Sequence, residues 1–468
     1  MVFSSILFLC IYLPLVIGLY YLCPKRLRNF LLLVVSLAFY AWGEPKYVLI
    51  MIFCTLFAWG CGLLMERFEQ KRKPKARKAV LIASLVVSLG TLGFFKYTDF
   101  LITNLNSLTG LGLSTLRLAL PIGISFYTFQ SLSYTIDVYR GDVKAQHSWV
   151  DFAMYISLFP QLIAGPIVRY SDVENQLKVR GESWQSMSMG IRRFILGLGK
   201  KVLLANQIGA LWDEISATGQ LSVSLAWLGA LAYAFQIYFD FSSYSDMAIG
   251  LGHMLGFTFT ENFDYPYQSR SITEFWRRWH ITLSTWFREY VYIPLGGNRR
   301  GKGRQVLNLF IVWLLTGLWH GADWCFVLWG LYFFVVLMVE KFALLKALKK
   351  LPAFFQHLYA IFFILLGWVV FACEDLSLAG RWYSAMFGIG VPFSAGLAAY
   401  DWLTYGPLLV ILAIGSTRLP KRAAEWLGQK LPPVVREIGA DVLCLVVLFF
   451  CIAFLVGDSY NPFLYFRF

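Results

Sequence analysis

The sequence has little charge for its length. Asp, Glu, Lys and Arg make up 15% of its 468 residues, against roughly 25% in globular proteins. Hydrophobic residues make up 58% of the chain, and the mean hydropathy is +0.61. This composition excludes a soluble protein and is typical of a chain that crosses a membrane many times.

Several sequence signatures are also absent. No CxxC pair occurs among the eight cysteines, and Cys54 and Cys61, like Cys444 and Cys451, are seven residues apart. We interpret them as small apolar side chains rather than as a disulfide or metal framework. Without a P-loop, GxGxxG, HExxH or GxSxG motif, nucleotide, hydride and zinc-protease chemistry have no support. We therefore expect no metal, no tightly bound cofactor and no nucleic-acid partner.

Aromatic and basic residues are what the chain does contain. Aromatic residues make up 18%, including 17 Trp and 25 Tyr. Some of them are expected to anchor the chain at the membrane interface, and others to line a cavity. Lys and Arg exceed Asp and Glu by 41 to 27, which gives a net charge of +14. Most of this excess lies in short runs between apolar stretches, as in multi-pass membrane proteins.

Apolar stretches long enough for membrane helices occur along the whole chain. The clear ones are 3–22, 30–42, 47–65, 79–95, 194–212, 225–238, 354–371 and 442–456. We expect the first to remain as a helix, because it lacks the basic start and cleavage site of a signal peptide. With no repeat and no soluble segment, residues 1–468 are predicted to form one membrane domain. It is all-α, with about ten or eleven crossings plus re-entrant and interfacial helices.

Three further apolar stretches contain helix breakers. They are 118–139 with Pro121 and Gly123, 152–167 with Pro160, Gly165 and Pro166, and 306–339 with its break at residues 320–323. A helix break at membrane depth is tolerated only where the backbone is buried in protein or lines a wet cavity. We therefore predict that these three stretches lie in the interior of the protein, packed against other helices or lining a cavity.

The basic runs predict the orientation. Positive-inside logic makes residues 71–78 cytoplasmic and leaves the N-terminus outside. It also makes 299–304 and 341–350 cytoplasmic, so the segment between them must enter the membrane and return. Val306–Trp319 and Trp324–Val339 would span about 21 and 24 Å, short of a bilayer core of about 30 Å. A hairpin with His320 at its tip inside the membrane follows, although one long kinked helix would use the same residues.

His320 is the first candidate for chemistry, in the run Trp319-His320-Gly321-Ala322-Asp323. An ionisable residue at membrane depth indicates function, and a neutral imidazole there can take a proton from a hydroxyl. Asp323 is a candidate to orient it, and Trp319 to contact substrate. The alternative is a structural histidine bonded to a neighbouring carbonyl.

The second candidate segment is Ser271–Pro294, predicted as one helix. Phe275, Trp279, Thr282, Trp286 and Tyr290 would form a mostly aromatic face, and Arg277, His280, Ser284 and Arg288 a basic and polar one. His280 would then point to where an anion binds. The alternative is a solvated cationic face touching lipid phosphates.

The third segment is Tyr238–Gly250, in which Asp240 and Asp246 occur among Ser243, Tyr244 and other hydroxyls. We interpret it as a buried supporting network, with proton relay or cation passage as the alternative. His147, His253 and His357 have no constellation around them and are predicted to be structural.

The sequence resembles the membrane-bound O-acyltransferase (MBOAT) family, in its alginate O-acetyltransferase-like branch. The resemblance lies in LPIGISFYTFQ at 120–130, in QIYFDFSSYSDMAIG at 236–250, in the segment 262–301, in GLWHGADWCFVLWG at 317–330 and in Asn461-Pro462-Phe463. It implies a funnel-shaped fold, with His320 as the catalytic histidine and His280 as the second family histidine. Phe371–Glu374 departs from the family, which usually carries Phe-Phe-Arg, so no substrate contact is assigned to that loop.

The resemblance also implies a location, the cytoplasmic membrane of a bacterium, and a function. An acetyl group would pass from a cytoplasmic thioester, acetyl-CoA or an acyl carrier, to a cell-surface or exported polysaccharide. An extracytoplasmic SGNH-type partner would complete the transfer. D-alanyl transfer to teichoic acid from a carrier protein is the alternative within the class. A transporter of an anionic polymer would use the same polar groups without acyl chemistry.

Overall fold

The structure is a computed structural model that describes residues 2–163, 165–394, 396, 398–457 and 464. The motif Asn461-Pro462-Phe463 lies outside these residues. The described part of the chain is helical and contains no strand, as the composition predicts. Its contacts divide it into two compact units, residues 1–194 with 245–260 and residues 195–244 with 261–468. Whether they act as the single domain expected from the sequence stays a prediction.

The first unit is built from helices of very different lengths. They are Phe8–Leu22, Arg28–Gly43, Val48–Gln70, Pro74–Thr109, Ile124–Arg140, Trp149–Ser157, Phe159–Leu162 and Tyr170–Val173, with the start of Trp184–Ala217 and the end of Val223–Met254. Part of its core is an aromatic cluster in which Phe8 lies 5.0 Å from Phe3 and 6.0 Å from Phe39, between ring centroids. Arg28 and Tyr20 both bond the Glu182 carboxylate, which gives these buried polar groups partners.

The second unit holds the remaining helices. They are the rest of Trp184–Ala217 and of Val223–Met254, then Ile272–Arg278, Ile281–Phe287, Lys302–His320, Trp324–Leu348, Ala353–Ala372, Leu376–Met386, Ala398–Gly415, Leu419–Lys430 and Pro433–Gly457. Every candidate site residue except Asp246 belongs to this unit.

Seven helices of the described chain are long and apolar enough to cross a membrane: Val48–Gln70, Pro74–Thr109, Trp184–Ala217, Trp324–Leu348, Ala353–Ala372, Ala398–Gly415 and Pro433–Gly457. Phe8–Leu22 is apolar but shorter. Other predicted crossings correspond to shorter or more polar helices, such as Arg28–Gly43 and Lys302–His320. The protein is therefore a multi-pass membrane protein, while the count of ten or eleven crossings stays a prediction.

The first and third interrupted stretches are broken where the sequence predicts, whereas the second breaks at Leu158, two residues before Pro160. A helix begins at Ile124 directly after Gly123, whose φ is +75°. A Cβ on Gly123 would collide with the Leu162 carbonyl, so both the turn and the close approach need glycine. Residues 152–163 form two short helices that meet at Leu158, and the third stretch is interrupted at residues 321–323.

The third stretch forms the predicted hairpin. Gly317 lies against the Phe326 carbonyl and Gly330 against the Trp313 carbonyl, with no room for a Cβ at either glycine. This pairing makes the helices before and after residues 321–323, the tip loop, antiparallel. Ala353–Ala372 runs antiparallel to the second leg, because Trp329 stacks on Trp368 and the later Tyr332 donates its hydroxyl to the earlier Phe363 carbonyl.

Both legs are longer than the predicted apolar spans, although the α-helix of the second leg has the predicted bounds, Trp324–Val339, before a wider turn extends it. The first leg begins at Lys302 rather than Val306 and has 19 residues, about 28 Å. The second continues to Leu348 and has 25 residues, about 37 Å. Both helices extend beyond their apolar stretches, since polar and basic residues also propagate a helix. Leg length therefore does not fix the depth of His320, which stays a prediction.

Charge is sorted between the two ends of this hairpin. Lys302, Arg304, Lys346, Lys349 and Lys350 lie at the ends of the legs away from the tip loop, and we call this the basic end. At the opposite end, which we call the tip end, the carboxylates Asp323, Glu374 and Asp375 lie beside or just beyond the legs. This asymmetry follows the pattern of the positive-inside rule.

The segment 271–294 is not the single helix that the sequence predicts. Its helix stops at Arg278, and a second one runs from Ile281 to Phe287 and continues as a wider turn to Tyr292. His280, at the break, has a φ of +45°, a left-handed conformation that is uncommon outside glycine. Glu340 from the second hairpin leg caps the first helix, accepting from the amides of Ile272 and Thr273 at 2.6 and 2.9 Å. At this break the His280 side chain is buried inside the second unit.

Candidate active site

His280 is held by Asn262. The imidazole Nδ1 lies 3.1 Å from the Asn262 side-chain oxygen, which also accepts from the Thr282 amide and hydroxyl at 3.2 and 2.9 Å. Because that oxygen accepts from a backbone N–H, Nδ1 must be the donor. Burial lowers the pKa of His280 to about 3. The ring is therefore neutral near pH 7, with its lone pair on Nε2.

His320 lies at the end of the first hairpin leg, among aromatic rings. The ring centroids of Trp319, Trp329 and Phe371 lie 5.0, 5.1 and 5.1 Å from its own, and the residue is only 8% exposed. Trp319 also lies 6.0 Å from His280. The two histidines thus share one aromatic wall, in which a neutral imidazole costs far less than a charged one.

Two cavities meet at His320, and the larger of the two, of about 260 Å³, connects these features; we call it the larger cavity. Its lining includes Arg277, His280, Ser284 and Arg288, the polar face predicted for the segment 271–294. Although the helix is broken, the structure brings all four side chains to one space. Arg277, Ser284 and Arg288 are exposed, whereas His280 is 2% exposed.

The larger cavity also follows the first hairpin leg. Leu309, Val312, Thr316 and His320 line it, and steps of three and four residues keep them on one helix face. From Leu309 to His320 the helix rises about 16 Å. The cavity therefore leads from the side of the basic end to His320.

A smaller cavity of about 20 Å³ lies beyond His320. His320 and Trp279 line both cavities. The rest of the smaller lining is Ile237, Asp240, Phe241, Trp329, Trp368, Phe371 and Leu464, which is apolar apart from Asp240. A space of this size holds one small group, about a single water or methyl.

Asp240 is one half of a buried ion pair. Its carboxylate lies 2.6 Å from the Lys201 ammonium, and their side chains are 3% and 4% exposed. The other carboxylate oxygen accepts from the Leu464 amide at 3.0 Å. Ser243 donates to the Asp240 carbonyl at 2.6 Å, and Tyr244 is buried one residue further along. A charge buried this deeply must be paired, and Lys201 supplies the pair.

Asp246 forms an ion pair within the first unit. It pairs with Arg193 at 2.9 Å in the first unit, and the two side chains are 20% and 27% exposed. The two acids predicted as one network are six positions apart on one long helix, which is more than one turn and a half. They belong to different ion pairs.

Asp323 is a helix cap. Its carboxylate accepts from the Cys325 amide at 2.7 Å, where the second hairpin leg begins. The described hydrogen bonds of Asp323 thus hold the tip loop rather than the His320 ring. His147 pairs with Glu66 at the surface, and His357 Nδ1 lies 3.0 Å from the Ser269 carbonyl.

Sequence reasoning missed Asn262 and Lys201. Asn262 lies 18 residues before His280, and no spacing signals that pair. Lys201 was visible as a charge inside the apolar stretch 194–212 and could have been matched to an acid in another helix. Among the described residues no group of three or more His, Cys, Asp or Glu could hold a metal ion.

These features define a helical membrane protein with a cavity that has exposed arginines in its lining and the buried His320 at one end. The sequence profile of the membrane-bound O-acyltransferase family matches residues 142–380. Several relatives match over nearly the whole chain at high identity. The probable alginate O-acetylase AlgI of Pseudomonas aeruginosa is 40% identical, with all of both chains covered. The peptidoglycan O-acetyltransferase of Helicobacter pylori is 35% identical over 83% of this chain and 80% of its own.

The teichoic acid D-alanyltransferase of Bacillus subtilis is more distant, at 28% identity over 47% of this chain and 59% of its own. The chain belongs to the membrane-bound O-acyltransferase family. It is an O-acyltransferase, as its motifs predict.

Proposed function

We propose that this enzyme moves an acetyl group from a thioester donor at the basic end to a polysaccharide hydroxyl at the tip end. The larger cavity carries the proposal, because it leads from exposed arginines to His320. The polysaccharide O-acetyltransferases among the relatives support acetyl as the acyl group and a sugar as the acceptor.

The donor end of the cavity suits an anion. Arg277 and Arg288 are exposed on its lining, and among the described residues Arg277 has no ion pair within 4 Å. Arg288 pairs with Glu289 at 2.7 Å and keeps further N–H groups for a ligand. Phosphates of coenzyme A or of a carrier protein's prosthetic arm would bind these guanidinium groups. The thioester would then extend along the cavity.

His320 would act as the general base. It takes the proton of the attacking hydroxyl as the oxygen bonds the thioester carbonyl carbon. The carbon–sulfur bond then breaks, and the proton passes from the imidazole to the departing thiolate. The hydroxyl belongs either to the sugar or to a serine of an extracytoplasmic SGNH-type partner, which would form an acyl intermediate.

His280 would position the donor. Its lone pair on Nε2 follows from the Asn262 bond, so the ring can accept a hydrogen bond but carries no charge near pH 7. A neutral ring beside the thioester adds no positive charge to that of Arg277 and Arg288, and its low pKa makes it a poor proton acceptor, which leaves that role to His320.

Orientation in the membrane follows from the charge asymmetry. The basic end would face the cytoplasm, where acyl thioesters are made, and the tip end the outside, with the N-terminus outside as well. The membrane would be the bacterial cytoplasmic membrane. Acetyl transfer then crosses it without moving the donor.

The alternatives have less support. D-alanyl transfer to teichoic acid would use the same base, but that relative matches only about half of this chain. A polymer transporter needs a passage as wide as a sugar, whereas the space beyond His320 measures about 20 Å³.

Purified protein in liposomes tests the proposal. Radiolabelled acetyl-CoA and a D-alanyl carrier protein are supplied separately, each with a soluble oligosaccharide acceptor and without it. We expect acetyl label on the acceptor or on protein, and no D-alanyl transfer. D-alanyl transfer in the absence of acetyl transfer would favour the alternative donor, and flux of oligosaccharide without label would favour transport.

A further inference from the structure

The smaller cavity beyond His320 is closed by an unusual residue. Its walls are the rings of Trp329, Trp368 and Phe371, the helix that carries Asp240, and Leu464 from the C-terminal end of the chain. Leu464 is 5% exposed and lies 224 positions from Asp240 in sequence. The Leu464 side chain thus forms a wall of the smaller cavity, although it is distant in sequence from the other lining residues.

The Lys201–Asp240 ion pair determines where this wall lies. One Asp240 oxygen faces the Lys201 ammonium at 2.6 Å and the other accepts the Leu464 amide at 3.0 Å. Both charged side chains are at most 4% exposed, so water does not compete for these bonds. Lys201 compensates the charge, which lets a buried carboxylate bind a backbone amide.

The position of the cavity relates it to the acyl group. His320 lines both cavities, so a thioester carbonyl bound beside it from the larger cavity has the smaller one within reach. A cavity of about 20 Å³ accepts a methyl group and has no space for a longer chain. Its aromatic and aliphatic walls suit an apolar group.

We propose that Leu464, held by the Lys201–Asp240 pair, closes this cavity and restricts the transferred acyl group to acetyl. The inference rests on the proposed acyl transfer and adds the specificity of that same site. Leu464 is a specificity-determining residue here, and Lys201 is a positioning residue that acts through Asp240.

The test is acyl competition in liposomes, with acetyl-CoA, propionyl-CoA and butyryl-CoA as donors. Leu464→Ala enlarges the cavity by three carbon atoms. We expect it to raise the propionyl-to-acetyl ratio of kcat/KM by about 10-fold to 200-fold, the range for one methylene in an apolar pocket. Ile237→Ala enlarges the same cavity through a residue distant in sequence from Leu464. It is also expected to raise the propionyl-to-acetyl ratio.

Leu365→Ala is the matched control. Leu365 is 6% exposed, close to the 5% of Leu464, but lies outside both cavity linings. It removes the same atoms from a buried site and is expected to leave the ratio unchanged. An equal change of the propionyl-to-acetyl ratio in all three variants would mean that any loss of packing in the buried core alters specificity. That result would overturn the proposal.

The ion pair has its own test. Lys201→Met leaves a buried carboxylate without its cation, and is expected to raise the propionyl ratio by displacing Leu464. Lys201→Met combined with Asp240→Asn removes both charges, keeps an oxygen for the Leu464 amide, and is expected to restore the wild-type ratio. A ratio that stays at the wild-type value in Lys201→Met protein that is folded and active contradicts the positioning role.

Failure of this inference can be told apart from failure of the proposed function. If the wild-type protein transfers no acyl group, the proposed function is wrong. If it transfers acetyl while Leu464→Ala and Ile237→Ala keep the wild-type propionyl ratio, only the specificity inference is wrong.

Discussion

The two histidines of the site lie in regions that differ in how their rings are held. His280 sits in a helix break with a left-handed backbone, and Asn262 bonds its Nδ1. His320 ends a regular helix, and its ring packs edge-on against Trp329 and Phe371. His280 lines only the larger cavity, whereas His320 lines both.

This difference separates two roles. A ring with one nitrogen committed to a buried amide is fixed in orientation and tautomer, which suits positioning. A ring at the junction of two cavities can meet a donor from one side and an acyl group or hydroxyl at the other, which suits proton transfer. Substitutions at the two sites should therefore differ in size and in kinetic character.

The largest effect is expected at His320. His320→Ala should lower polysaccharide acetylation in cells by about 10²-fold to 10⁴-fold, the usual contribution of a general base. The protein should remain in the membrane at wild-type amount. His147→Ala, at an exposed surface histidine, is the matched control. Full acetylation by the His320→Ala protein would remove His320 from the chemistry.

A smaller effect is expected where His280 is held. Asn262→Ala removes the oxygen that accepts from Nδ1 and from Thr282, and leaving buried donors unsatisfied costs about 1–3 kcal/mol. We expect kcat/KM to fall by about 5-fold to 150-fold, as it should for His280→Ala. Because both act through one ring, the double variant should be no worse than the worse single one. Additive losses would show that Asn262 acts independently of His280.

A still smaller effect is expected at the mouth of the larger cavity. Arg277→Gln should raise KM for the thioester donor about fivefold, as for loss of about 1 kcal/mol at an exposed charge, with kcat unchanged. The effect should shrink at high salt. Arg422→Gln, on the exposed helix Leu419–Lys430, controls for loss of positive charge at a site outside the cavity. Equal KM changes in both variants would argue for a general charge effect instead of donor binding.

A separate effect concerns the pH dependence of folding stability, not of activity. Burial lowers the pKa of His280 to about 3, below its usual value of about 6.5. Between these values the unfolded chain binds a proton that the folded chain does not, so folding stability falls as pH drops from 6.5 towards 3. The Tm of detergent-purified protein should fall over that range, and His280→Gln should reduce the slope. An unchanged slope in that variant would mean that other groups cause the loss.

The sequence predicted much of this site for identifiable reasons. Glycine and proline located the first and third helix breaks, and the second break lies two residues before Pro160. The hairpin was predicted from two apolar stretches that flank a polar interruption. Spacing predicted that Arg277, His280, Ser284 and Arg288 share one helix face, and the structure brings them to one cavity even though the helix between them is broken. The break itself was missed, since no glycine or proline marks position 280.

Long-range pairings could not be predicted in the same way. Asn262 with His280 and Lys201 with Asp240 depend on how separate segments pack, and neither spacing nor local propensity encodes that. Asp323 resembled a partner for His320 because it follows closely in sequence, but a carboxylate before a helix satisfies that helix's own amides first. The helix lengths were underestimated because polar ends were excluded from apolar counts.

The most direct test of the account is one-sided transfer in liposomes of known protein orientation. Labelled acetyl-CoA is confined to the side of the basic end, and an acceptor oligosaccharide, with its partner enzyme if one is needed, to the side of the tip end. The account predicts label on the acceptor across an intact membrane for wild-type protein, and none for His320→Ala. Equal labelling by both proteins, or labelling only when donor and acceptor share one side, would contradict it.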